Sequence, residues 1–126
     1  MIINDPAVVA EVEAVFARYE AALVGNDVVV LDELFLDSPV TVRYGIGENL
    51  HGIEAIREFR LARPSAGLLR RLERTVITTY GSDVATASTL FYRDGAAGKV
   101  GRQMQTWIRM PDGWRVAAAH VSVIDD

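Results

Sequence analysis

The chain has 126 residues, half of them apolar, with 13 basic and 17 acidic side chains and a formal net charge of −4. That length suits one domain with one core, and an apolar half can build it without disulfides or a structural metal. The absence of cysteine excludes thiol catalysis, Cys-ligated zinc and a disulfide framework, and a mildly acidic balance argues against nucleic acid as a partner.

The opening Met1-Ile2-Ile3-Asn4-Asp5-Pro6 has neither a basic region nor an apolar run, so no signal peptide is expected. No stretch is long enough for a bilayer. The expectation is a cytoplasmic protein without membrane contact. All but one of the basic residues are arginine, the exception being Lys99, and Arg57, Arg60, Arg63, Arg70, Arg71 and Arg74 cluster in one short segment. The plain reading of that cluster is a solvated helix face; the sharper one is a set of forks for carboxylates.

Asp5 and Pro6 have the chemistry of an N-cap and a first helical position. Val9, Val12, Phe16, Tyr19 and Leu23 then recur at spacings of three and four, which predicts an amphipathic helix stopped by Gly25-Asn26-Asp27. A short second helix is expected from Val28 to Phe35, turning Leu31, Leu34 and Phe35 inward. Val40 to Ile46 is a β-branched run ended by glycine and reads as a strand. Gly52 to Leu61 predicts a third helix, with Ile53, Ile56 and Phe59 on one side and Pro64 beyond its end.

Four long strands follow, at Arg70–Tyr80, Val84–Tyr92, Val100–Met110 and Trp114–Ile124. Gly81-Ser82-Asp83 and Pro111-Asp112-Gly113 have hairpin chemistry, and Arg93 to Gly98 is a longer loop. Helices first and strands afterwards predict an α+β domain: three N-terminal helices packed on a bent antiparallel sheet, an open cone with a small-molecule pocket at one end.

The closing hairpin is the most specific stretch. It reads Gly101-Arg102-Gln103-Met104-Gln105-Thr106-Trp107, then Asp112-Gly113-Trp114-Arg115-Val116-Ala117-Ala118-Ala119-His120-Val121-Ser122. A strand ending in Trp, then D-G-W-R-V, then H-x-S, resembles the SnoaL-like, nuclear-transport-factor-two-like superfamily with its cystatin-like cone. The G-R-Q-x-Q-T-W and A-A-H-V-S versions, with Arg43-Tyr44-Gly45, His51-Gly52 and Tyr19, are similar to the AtzH/HpxZ-like group. The resemblance covers nearly the whole chain. One departure is Met104, where a small polar residue is expected.

The resemblance implies a place in carboxyurea or oxalurate catabolism and a decarboxylating amide hydrolysis. It also implies that a tyrosine on the first helix and an arginine on the first strand are the key pocket residues, and these match Tyr19 and Arg43. From the residues themselves, Tyr19 is either a core ring or a hydroxyl aimed into the pocket. Arg43 is either a two-bond grip on a carboxylate or surface charge, and strand alternation lets only one of Arg43 and Tyr44 face inward. Strand alternation turns one of Arg70 and Arg71 toward the pocket, and Arg71 is the expected one. Gln103, Gln105 and Trp107 share a face; if it lines the cone, Gln105 and Trp107 are substrate contacts and Arg102 points out. Tyr92, His120 and Ser122 complete the candidate set. His120 and Ser122 are parallel neighbours on one strand rather than a catalytic pair.

Two histidines in all, His51 and His120, argue against a histidine-rich metal site, and no carboxylate motif is recognisable. No metal and no cofactor are expected. The leading function is then a cofactor-independent hydrolase acting on a small anionic substrate, with Arg43 and Arg71 neutralising carboxylates. A second is a non-catalytic subunit that accompanies an amidase-type hydrolase. A homodimer through the outer sheet face is also expected, because the small residues of Val84-Ala85-Thr86-Ala87-Ser88-Thr89 suggest a covered face. A ketosteroid-isomerase-like proton shuttle is a third reading, but it needs a buried carboxylate base, and the strands offer only Glu73.

Overall fold

Asp5 starts the first helix as its chemistry predicts. In the computed structural model, which describes residues 1–126, its carboxylate accepts from the Ala7 N–H at 3.0 Å and helix α1 runs Pro6–Val24. The cap satisfies one of the N–H groups that a helix start leaves free. Val8, Val12, Phe16, Tyr19 and Leu23 form the buried stripe, with Val8 rather than the expected Val9 at its beginning. Helix α2 (Val28–Leu34) is built from valines, weak helix formers. It is held by the Asp27 carboxylate, which accepts from the Val30 N–H at 3.2 Å, and by the buried Leu31 and Leu34.

The Val40–Ile46 run yields a shorter strand, β1 (Val42–Tyr44). The chain then turns back as β2 (Asn49–His51), which the apolar pattern does not announce. Gly52, at φ 89°, links β2 to helix α3 (Ile53–Ala62) and donates its N–H to the Thr41 carbonyl at 2.7 Å. A side chain would be strained in that left-handed conformation. The long strands are β3 (Arg71–Tyr80), β4 (Val84–Tyr92), β5 (Lys99–Met110) and β6 (Gly113–Asp125).

All six strands form one sheet in the order β2-β1-β6-β5-β4-β3. The pairings are antiparallel except β1 with β6, which is parallel and corrects the expectation of a wholly antiparallel sheet. The reason is topological: after β1 the chain crosses through α3 and the whole meander before β6 returns beside it. No helix is long and apolar enough to cross a membrane.

Strand register fixes which side chains share a face. Across the inner face run the rows Ala85–Trp107–Val116, Ala87–Gln105–Ala119–Arg43 and Thr89–Gln103–Val121. Across the outer face run Thr86–Thr106–Ala118–Val42, Ser88–Met104–His120–Tyr44 and Leu90–Arg102–Ser122. The small residues of β4 are therefore divided. Ala85, Ala87 and Thr89 are buried inside, where they leave room opposite Trp107 and α1. Only Val84, Thr86 and Ser88 lie on the outer face, so the alanines are no mark of a covered exterior.

Helix α1 closes the inner face. Tyr19 meets Trp107 edge-on, with ring centroids 6.2 Å apart, and Phe35 at 6.3 Å. Trp107, Phe35, Leu31, Leu34, Ile56, Val12 and Val116 have almost no exposed surface and make the core. At the other end of β5, Gly101 lies under the Phe91 ring, which a Cβ there would approach to 2.1 Å.

Candidate active site

Arginines fill the end of the interior that the core leaves unpacked. Arg43 comes from β1, Arg60 from the last turn of α3, Arg63 from the residue after that helix, and Arg70 and Arg93 from the two sides of the β3–β4 hairpin. Arg43, Arg63 and Arg93 line a cavity of about 160 Å³ together with Phe59, Leu68, Val121, Ile46 and Glu48. The Phe59 ring serves both Arg43 and Arg63, whose guanidinium carbons stand 5.4 and 6.0 Å from its centroid.

Three of the five arginines have carboxylate partners. Arg70 is held by Glu20 in two bonds, at 2.6 and 2.9 Å, and also donates to the Gln103 carbonyl at 2.9 Å. Arg60 donates to Asp32 at 2.9 Å and stacks 4.2 Å over the Phe35 ring. Arg43 donates to Glu48 at 2.9 Å. Arg63 and Arg93 form no salt bridge, and the buried Nε and Nη2 of Arg63 and Nε of Arg93 have no hydrogen-bond partner. Five guanidiniums against Glu20, Asp32 and Glu48 leave an excess of two positive charges, in a chain whose net charge is −4.

The electrostatics reflect this crowding. Burial pushes the Arg60 guanidinium below its ordinary value, opposed by the Tyr19 phenol and Asp32. Arg63 is lowered by burial and then by the charge of Arg43, again opposed by Tyr19. Arg93 is lowered by burial and then by Arg70, against Glu20. Each is a cation in a place that disfavours cations, and a bound anion would relieve that. Beneath the arginines, Gln105 accepts from the Trp107 indole at 3.0 Å, and the amide nitrogens of Gln103 and Gln105 are buried without partners. Nowhere are three or more His, Asp or Glu side chains gathered as a metal site.

The structure turns four of the residues singled out from sequence inward, and of these Arg43 lines the cavity while Tyr19, Gln105 and Trp107 are buried beside it. Tyr19 is 5% exposed, packed against Trp107 and Phe35. Arg43 faces inward and Tyr44 outward. Gln105 and Trp107 are buried on the inner face. The other four lie elsewhere. Arg71 is exposed, pairs with Glu73 at 3.2 Å and stacks on Tyr92 at 4.7 Å; its neighbour Arg70 is the inward one. Tyr92 lines a separate surface hollow of about 270 Å³ with Arg71. His120 is exposed on the outer face against the edge of Tyr44, and Ser122 there accepts from Arg102 at 3.1 Å.

The phase of β3 explains the exchange of Arg70 for Arg71. Leu72 pairs with the inward Phe91, so Arg71 must point out, while Arg70 precedes the strand and is free to reach Glu20. A register shift between Glu73 and Val76, with Arg74 at φ 53°, then resets the alternation. The phase of β6 likewise follows from its pairing: His120 sits opposite the outward Met104. Sequence reasoning missed Glu20, Glu48, Arg60, Arg63, Arg93 and Gln103 as members of the site. The arginine cluster was the available signal, and it is split: Arg60, Arg63 and Arg70 turn inward, Arg71 and Arg74 outward.

Comparison with known proteins agrees with the fold. The AtzH-like family model matches residues 1–126. A crystal structure of a protein of unknown function from Pectobacterium atrosepticum is 65% identical, with a TM-score of 0.96 over 98% of this chain and 95% of that one. A cystatin-like fold protein from Burkholderia xenovorans is 51% identical, with a TM-score of 0.96 over 100% and 98%. An NTF2-like protein of unknown function from Pseudomonas putida, 17% identical with a TM-score of 0.76 over 92% and 86%, shares the fold. No curated protein matches the sequence.

Proposed function

Because the chain belongs to the AtzH-like family, we propose that its cationic cavity takes a small dicarboxylated or oxalurate-like ureide and removes a carboxylate from it by cofactor-independent, decarboxylating amide hydrolysis. The observation that carries this reading is the excess of two positive charges around the cavity, with Arg63 and Arg93 lacking any carboxylate partner. A dianion supplies the missing charge, and desolvated guanidiniums grip carboxylates in fixed geometry.

The division of work follows from position. Arg43, Arg63 and Arg93 neutralise and orient the carboxylates, which is positioning and electrostatic stabilisation rather than covalent catalysis. On a carboxyurea, whose carboxylate sits on nitrogen, loss of CO2 breaks the N–C bond and leaves its electron pair on nitrogen, which must take a proton. We assign that proton to Tyr19, whose ring is buried between Trp107 and Phe35; water returns the proton. Oxalurate carries its carboxylate on carbon and would instead be split by water at its amide into urea and oxalate. The edge-on contact with Trp107 holds the Tyr19 ring in place.

Incubation of the protein with 1,3-dicarboxyurea and with oxalurate, following CO2, ammonia and urea, tests the reading. Turnover by the wild type should fall about 100-fold or more in Tyr19→Phe, the scale of a lost proton donor, and at least as far in Arg43→Ala. Absence of release from both compounds would overturn the chemistry.

A second reading, a binding subunit beside an amidase-type hydrolase, draws on the outer sheet face. Met104 is 57% exposed there, with Val84, Val76 and Tyr44 also exposed, an apolar surface of the kind that partners cover. A self-partner would cover it equally well. Co-purification with an amidase, together with no turnover by the isolated chain, would favour this reading over the first.

A further inference from the structure

Glu48 is the one carboxylate lining the cavity with Arg43, Arg63 and Arg93, and its placement is built rather than incidental. One carboxylate oxygen accepts from Arg43 at 2.9 Å, and the other from the Gly47 N–H at 3.2 Å. The turn that carries it is closed by the Gly45 N–H donating to the Glu48 carbonyl at 2.9 Å. A Cβ at position 45 would stand 1.6 Å from the Glu48 carboxylate oxygen. Gly45 is not among the positive-φ glycines, so space for this carboxylate, and not backbone freedom, is what glycine provides there.

Taking the cavity as the anion site proposed above, we infer that Glu48 is a specificity-determining residue of it: an internal carboxylate that competes for Arg43 and limits how far ligands with two carboxylates are preferred over ligands with one. The reasoning is an exchange balance. A monoanion pairs with Arg63 and Arg93, which no side-chain carboxylate serves, and leaves Glu48 on Arg43. A dianion makes the same pairing, but its second carboxylate reaches Arg43 only by replacing Glu48, one carboxylate for another. Glu48 can yield its place at small cost, because its turn lies at the surface, with Ile46 60% exposed. A built-in competitor thus tempers the attraction for a second carboxylate, a repulsive element of the kind that sets specificity.

Malonate and malonamate, isosteric except for the second carboxylate, are the probes, with affinities measured calorimetrically at neutral pH. The wild type should prefer malonate by about threefold or less. In Glu48→Gln the preference should rise to more than about tenfold, mainly through tighter malonate binding. Gly45→Ala, which pushes the carboxylate off Arg43 while keeping its charge, should move the ratio the same way. If Glu48→Gln weakens both probes or leaves their ratio unchanged, Glu48 only orients Arg43 and the inference is overturned. Malonate bound by the wild type without CO2 release from dicarboxyurea would sink the proposed reaction and leave this inference standing. A wild type that binds no malonate would overturn this inference, while turnover of dicarboxyurea would still decide the proposed reaction.

Discussion

At one end of the interior Trp107 is fully buried in a cluster with Leu31, Leu34, Phe35 and Val116. Four positions earlier on the same face of β5, Gln103 accepts from an arginine that is itself bound to a carboxylate. The two ends share strands and a covering helix, yet they bear differently on stability. The apolar end lowers the free energy of the fold through burial. The cationic end holds Arg60, Arg63 and Arg93 where burial disfavours their charge, a cost that its ion pairs must offset. A protein tolerates such a concentration of desolvated charge where function depends on it, with the stability supplied elsewhere.

Substitutions at the two ends should separate these roles. Trp107→Ala is expected to be the most damaging, at about 3–5 kcal/mol, because it removes the largest fully buried side chain and leaves a cavity. Urea unfolding measures it, and a loss below about 1 kcal/mol would mean that the apolar end is not the source of stability.

Arg70→Met comes next, at about 3 kcal/mol, because Glu20 would remain largely buried without its partner. Adding Glu20→Leu should recover most of that loss. A double variant no better than the single one would show that the pair matters through packing instead of charge.

Arg93→Met should have the smallest effect and the opposite sign. Removing a half-buried, unpaired cation should raise stability by up to about 1 kcal/mol after allowance for solvent screening. Malonate should then narrow the gap, since a ligand stabilises only the protein that binds it. Thermal unfolding with and without malonate gives both values. A destabilised Arg93→Met protein would show that the cationic end is structural after all.

The helices and long strands were legible because their signals are local. Asp5-Pro6, the spacing of Val12, Phe16, Tyr19 and Leu23, and the hairpin chemistry at Gly81–Asp83 and Pro111–Gly113 act within a few residues of themselves. Strand β2 was not legible, since Asn49–His51 carries no apolar pattern and is strand only because β1 offers an edge. The site was half legible. Tyr19 lies on a helix stripe and so had to be inside. Arg43, Gln105 and Trp107 also lie inside, but the pocket candidates His120 and Ser122 lie on the outer face. Their phase follows from pairing with Met104 and Arg102, and nothing in the strand's own sequence reveals it.

Arginine placement is the clearest case of what sequence withholds. Arg60, Arg63, Arg70 and Arg71 are chemically equivalent as written, and each could be solvated or gripping. The fold separates them: Glu20, fifty positions before Arg70 in the chain, draws that arginine inward, while Leu72, opposite Phe91, turns Arg71 out. The sequence by itself determined the class of fold, the order of its helices and long strands, and most of the apolar stripe of α1, because hydrophobic periodicity and turn chemistry are short-range properties of the chain. Only the tertiary structure decided which charges meet, because an excess of positive charge at one end of a cavity belongs to groups from five separate places in the chain and exists only once they are brought together.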